Sequence, residues 1–104
     1  MSVIMTLRVS GDPAKLEAMA AENPDAISAI SARAKELGMI GHRFYGSDNE
    51  IMVVDEWPDE ESFHRFYEDQ GETIGAMMQQ VATGEPAITF WRKLDTRDEV
   101  GWEG

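Results

Sequence analysis

The spacing of apolar positions along this chain switches between strand-like and helix-like periods in a regular order. Val3 to Val9 (VIMTLRV) is short and β-rich and predicts a first strand. Gly11-Asp12-Pro13 then opens a helix, because Asp12 is a good N-cap and Pro13 suits the first helical position. Leu16, Met19 and Ala20 fall on one face of it. Asn23-Pro24 interrupts the pattern and restarts it in the same way, and Ile27, Ile30, Ala34 and Leu37 form an apolar stripe that Gly38 closes. Met39 to Tyr45 predicts a second strand, Gly46-Ser47-Asp48-Asn49 a polar turn, and Glu50 to Trp57 a third strand. So short a connection makes the two an antiparallel hairpin. A second helical segment starts after Trp57-Pro58, with Asp59, Glu60 and Glu61 where the helix dipole favours acids. Gly71 is expected to break it. Ile74, Met77, Met78 and Val81 then predict a further helical stripe closed by Gly84, and Ala87 to Lys93 a last strand.

Strand, helix, strand, strand, helix, strand around a central hairpin is the ferredoxin-like βαββαβ order. It predicts an α+β fold, an antiparallel sheet with helices on one face. The 104 residues suit one domain, 1–104, whose last stretch, 95–104, is a polar tail carrying Val100 and Trp102. The strands carry apolar residues on both faces: Val3, Met5, Leu7 and Val9 on one side of the first with Ile4 on the other, and Ile51 and Val53 against Met52 and Val54 in the third. A sheet covered on one side only should alternate more strictly, so the second face is expected to pack against another subunit. Trp102 would dock in the same region; a disordered tail is the alternative.

Composition narrows the partners. Nine basic residues against twenty acidic ones leave a net charge of −11. Nucleic acids and anionic membranes both want a basic surface, so neither is expected as a partner. No apolar run reaches the ~20 residues of a membrane span, and the N-terminus lacks the basic-then-apolar pattern of a signal peptide. A cytoplasmic protein is the expectation. With no cysteine, disulfides, thiolate metal sites and cysteine nucleophiles are excluded. His64 with Glu60, Glu61 and Glu68 lacks a second histidine at ligand spacing, so no metal site is assigned. No phosphate loop, dinucleotide fingerprint or nucleophile elbow is found.

The strand end Val53-Val54-Asp55-Glu56-Trp57, the acidic helix start Asp59-Glu60-Glu61-Ser62-Phe63 and the element order from Val3 to Leu94 resemble the dimeric α+β barrel superfamily, in particular antibiotic biosynthesis monooxygenase-like domains. The resemblance implies a homodimer whose two sheets form a barrel, with a pocket between sheet and helices in each subunit. It implies activities ranging from cofactor-less oxygenation of polycyclic phenols to haem degradation and lactone isomerisation. The chain departs from the pattern on the second helix, where Phe66 stands at the position of a common family histidine and His64 lies two residues earlier, rotated by ~200°. Thr6 and Arg8 on the first strand, and the missing Trp-His pair, disfavour the haem-degrading subset.

Among residues that could carry chemistry, His42 leads. It sits mid-strand beside Gly41, which permits close approach of a ligand, and imidazole titrates near neutrality. A half-buried histidine bonded to a neighbouring strand or partner subunit is the alternative. Alternation puts His42 and Phe44 on one face and Arg43 and Tyr45 on the other, and separates Asp55 and Trp57 from Glu56. Which set faces the helices depends on the pairing register. Asp55 or Glu56 could orient a histidine or pair with Arg8, Arg43 or Arg92. Phe44, Trp57, Phe63, Phe66, Tyr67, Met78 and Trp91, with Met77 and Phe90, are either ordinary core or the lining of an apolar pocket for a small apolar or aromatic molecule. The first functional expectation is a cofactor-independent monooxygenase-like enzyme, with His42 as base, Asp55 beside it, and Arg8 or Arg43 on the oxyanion. No metal or cofactor is expected. The alternative is a non-catalytic dimeric module that binds a small molecule or serves a structural role. The discriminator is whether a cation shares a cavity with His42.

Overall fold

The computed structural model describes residues 1–101. Trp102 lies outside the described residues. Four strands form one antiparallel sheet: β1 (Val3–Ser10), β2 (Gly41–Gly46), β3 (Glu50–Trp57) and β4 (Ala87–Trp91), in the order β2-β3-β1-β4. Helices α1 (Pro13–Glu22) and α2 (Pro24–Glu36) make the first crossover, and α3 (Glu60–Met78) the second. This is the ferredoxin-like α+β fold. Met5, Val9, Ile51, Val53 and Trp57 are all buried and share one sheet face, and Leu16, Met19, Ala34, Phe63 and Phe66 from the three helices pack against it. Along β3 every second residue is buried, from Ile51 to Trp57, so this face is the covered one.

The helix boundaries follow local chemistry. Asp12 caps α1 by accepting from the Ala14 N–H at 2.9 Å, with Pro13 next. Asp59 caps α3 by accepting from the Ser62 N–H at 2.7 Å, and this bond holds its carboxyl below the usual range. At the end of α2 the Met39 N–H bonds to the Ala34 carbonyl and the Gly38 N–H to the Lys35 carbonyl. That pair of bonds requires a left-handed residue, which Gly38 supplies at φ 111°.

Two expectations need correcting. Gly71 does not break the helix, and α3 runs unbroken through it to Met78. The ring of Tyr67, one turn earlier, lies 3.2 Å from where a β-carbon on Gly71 would stand, so the glycine makes room for a packed ring. The expected further helix up to Gly84 is absent. Ile74, Met77 and Met78 belong to α3, and Val81 is buried in the turn that follows, beside the bridge between Gly11 and Ala82. Elsewhere boundaries differ by small amounts: β1 reaches Ser10, β2 spans Gly41–Gly46 rather than starting at Met39, and β4 stops at Trp91.

Candidate active site

The hairpin register decides which side chains meet. Residue His42 pairs with Asp55, and Phe44 with Val53. Both pairs lie on the face that the helices cover. The His42 Nδ1–H donates to Asp55 Oδ1 at 2.6 Å, and the other carboxylate oxygen accepts from Trp57 Nε1–H at 3.2 Å. The Asp55 side chain is 4% exposed, that of His42 30%. A buried acid thus holds the imidazole from behind. With Nδ1 as donor, Nε2 is the nitrogen left to accept a proton. Phe44 meets the imidazole edge-on, with ring centroids 5.0 Å apart.

In front of this pair, between sheet and helices, lies a cavity of about 110 Å³. His42 and Phe44, on the edge strand β2, are its exposed lining residues and so mark its rim. Its walls are Met5, Leu7 and Val53 from the sheet, Ile30 and Ala34 from α2, and Phe63, Phe66, Tyr67, Ile74 and Met78 from α3.

The residues singled out from sequence therefore divide into three groups. His42, Asp55, Phe44, Phe63, Phe66, Tyr67 and Met78 line one cavity. Trp57 is fully buried and does not line it; its role is to pack under Phe63 and Phe66 and to hold Asp55. Arg8 and Trp91 stand on the opposite face of the sheet. Arg8 pairs in register with Met52 and Ala87 and bonds Glu50 at 3.0 Å, and the Trp91 indole donates to Thr6 Oγ1 at 2.8 Å. Arg43 shares that face and bonds the Tyr45 hydroxyl at 3.2 Å. The expectation that Arg8 or Arg43 shares a cavity with His42 is not met within the protomer, because strand alternation aims them through the other side of the sheet. Glu56 also lies on that face, where it accepts from the Ser2 hydroxyl.

Sequence reasoning missed Met5, Met19, Ile30 and Met39 as cavity walls. The stripe Ile27, Ile30, Ala34 marks a buried helix face in the sequence, but periodicity does not distinguish a face packed on a sheet from one that roofs a void. No group of three or more potential metal ligands occurs among the described residues. No helix among them is long and apolar enough to cross a membrane.

No protein-family model matches the sequence, and no curated protein matches it. Solved structures do match over nearly the whole chain. SnoaB, a cofactor-independent oxygenase from Streptomyces nogalater, superposes with a TM-score of 0.68 at 20% identity, covering 94% of this chain and 98% of its own. A monooxygenase from the gene ActVA-Orf6 of Streptomyces coelicolor, solved with the ligand nanaomycin D, gives 0.71 at 13% identity, covering 91% of this chain and 89% of its own. A dimeric ferredoxin-like protein from an uncultured marine organism gives 0.66 at 12%, covering 90% and 89%. The fold is thus the ferredoxin-like α+β fold of these structures, among them a cofactor-independent oxygenase and a monooxygenase, as the sequence resemblance implied.

Proposed function

We propose that the protein is a cofactor-independent oxygenase of small electron-rich phenols, working as a homodimer. The observation that carries this reading is the His42–Asp55 pair at 2.6 Å, at the rim of an apolar cavity. His42 Nε2 takes the phenolic proton, and Asp55 holds the ring and balances the imidazolium that forms. The newly charged His42 is then the cation beside the oxyanion, the role that Arg8 and Arg43 are placed too far round the sheet to fill. The oxyanion passes one electron to dioxygen, and the resulting pair joins through a new C–O bond on the ring. The ring hydroperoxide loses water as its carbon gives up hydrogen, leaving a quinone. For a dihydroxyarene the sum is substrate plus O₂ to hydroxyquinone plus H₂O, with all four electrons supplied by the substrate. The likeness to a cofactor-independent oxygenase and a monooxygenase supports the class of chemistry.

Oxygen uptake in air on a panel of naphthols, anthrones and dihydroxyarenes tests the reading. Stoichiometric uptake by the native protein with at least one member of the panel, and at least tenfold less with His42→Ala, is expected. Equal uptake by the two proteins would remove His42 from the reaction.

A second reading, a dimeric binding module without turnover, is favoured by one observation: no lysine or arginine lines the cavity. In that case phenols raise the melting temperature of native protein and His42→Ala alike, with no oxygen consumed.

The open sheet face supports the homodimer. Ile4, Met52 and Val54 lie on it, flanked by Tyr45 at 46% and Trp91 at 54% exposure. Large aromatic side chains on a flat face are what a subunit interface buries.

A further inference from the structure

The cavity also constrains the ligand. Its volume of about 110 Å³ is close to the ~150 Å³ of an engineered apolar void that holds one benzene ring. It falls well below the ~300–1,000 Å³ of sites for drug-sized ligands. Among its lining residues only His42, Asp55, Tyr67 and Ser31 carry polar side-chain atoms. None is a lysine or arginine, and Asp55 is the one carboxyl residue among them. An anionic ligand would be desolvated beside Asp55 with no cation but His42, which Asp55 already holds, inside a protein of net charge −11. Five of the chain's seven methionines, Met5, Met19, Met39, Met77 and Met78, lie in the walls. Their unbranched thioethers can shift to admit an alkyl substituent and make favourable contacts with a ring. A fused second ring would need more room than this volume, bounded on the helix side by Phe63, Phe66 and Tyr67, supplies.

We propose that this site selects an uncharged single-ring dihydroxyarene with a small alkyl substituent. One hydroxyl would meet His42 at the rim, and the alkylated ring would lie among the methionines. Carboxylated rings are rejected by charge and fused rings by volume. This inference rests on the phenol reading of the site but concerns binding alone, so the two can fail separately.

The test is anaerobic calorimetry with methylhydroquinone, 1,4-dihydroxynaphthalene and 2,5-dihydroxybenzoate. Without oxygen, binding is separated from turnover. Methylhydroquinone is expected to bind at least tenfold tighter than either comparator. Ile30→Trp, which fills the cavity, should weaken it at least tenfold. Met78→Ala, which enlarges the cavity, should bring dihydroxynaphthalene to within threefold of methylhydroquinone, and it stands as an independent check should Ile30→Trp fail to fold. Equal or tighter binding of either comparator by the native protein, or no binding of methylhydroquinone, would overturn the proposal. If methylhydroquinone binds but is not oxidised in air, the oxygenase reading fails and the size and charge selection stands. If a fused-ring phenol is oxidised and binds more tightly, the reverse holds.

Discussion

Asp55 is hydrogen-bonded on both of its oxygens, by His42 from the rim and by Trp57 from the core. It is 3% exposed, so each bond replaces solvation that the carboxylate has lost. Asp55→Ala would leave the Trp57 indole N–H buried without its acceptor. A loss of about 1–3 kcal/mol is expected for such an orphaned donor, read from urea denaturation. Asp55→Asn keeps an oxygen for one of the two donors and should recover part of that loss. A variant as stable as the native protein would mean that the pair bears no structural load. The residue types were visible in the sequence, and so was the possibility that Asp55 orients a histidine. That Trp57 is a support for the acid instead of a pocket wall was not visible. Alternation places Trp57 on the same face as Asp55 but does not say how deep each side chain sits.

At the scale of elements, the layer over the cavity is held by α2 and α3. Arg33 on α2 grips Asp69 on α3 through two bonds, Nε to Oδ2 at 2.8 Å and Nη2 to Oδ1 at 3.1 Å, and adds Glu36 on its own helix. These bonds pull the Asp69 carboxyl down to about 2 and raise the Arg33 guanidinium. A carboxyl held below its unfolded value of ~3.9 stabilises the fold fully above that value, and the contribution fades as pH falls from about 4 toward 2. Asp69→Asn should therefore lower the melting temperature at pH 7 and change it little near pH 2. The pair is solvent-accessible, so the pH 7 effect should be modest and shrink in high salt. An undiminished difference at pH 2 would rule out the ion pair as its source.

The two glycines of α3 make a matched test. A β-carbon added at Gly75 would meet nothing within 4 Å, whereas one at Gly71 would face the Tyr67 ring. Gly75→Ala should gain about 0.5–1 kcal/mol from helix propensity and a less free unfolded chain. Gly71→Ala should gain less, because the ring must give way; equal gains measured by denaturation would show that Tyr67 is loosely held. The sequence marks Gly71 as a break because glycine is a poor helix former. The packing of Phe66 and Ile74 on either side outweighs that preference, as tertiary contacts commonly do over a cost of this size.

For the whole molecule, the strands carry apolar residues on two faces while helices cover only one. Val54→Glu, at the centre of the open face, should convert the proposed dimer to monomer in sedimentation while leaving the helix-side core intact, since Val54 points away from it. A variant that still sediments as a dimer would move the interface elsewhere. The two-faced pattern was legible from Ile4, Met52 and Val54, because strand alternation reports each face separately.

The sequence by itself determined the order of the four strands and their crossovers, the Asp12 cap and the ferredoxin-like topology. Those depend on local preferences and on periods of 2 and 3.6 residues, which one chain displays openly. It did not determine the unbroken α3 or the Asp59 cap, and Asn23, placed like Asp12 before a proline, makes no side-chain cap bond. The sequence also determined that His42 and Phe44 share a face. Tertiary structure alone decided that this face is the covered one, that Asp55 lies opposite His42 in the register, and that Arg8, Arg43 and Trp91 look the other way. A shift of one residue in the pairing of β2 with β3 would turn Arg43 and Tyr45 toward the helices and His42 and Phe44 away from them, while Arg8 and Trp91 are placed by the pairings of β1 with β3 and β4. The register is fixed by burying Trp57, Val53 and Ile51 against the helices, a property of the folded whole.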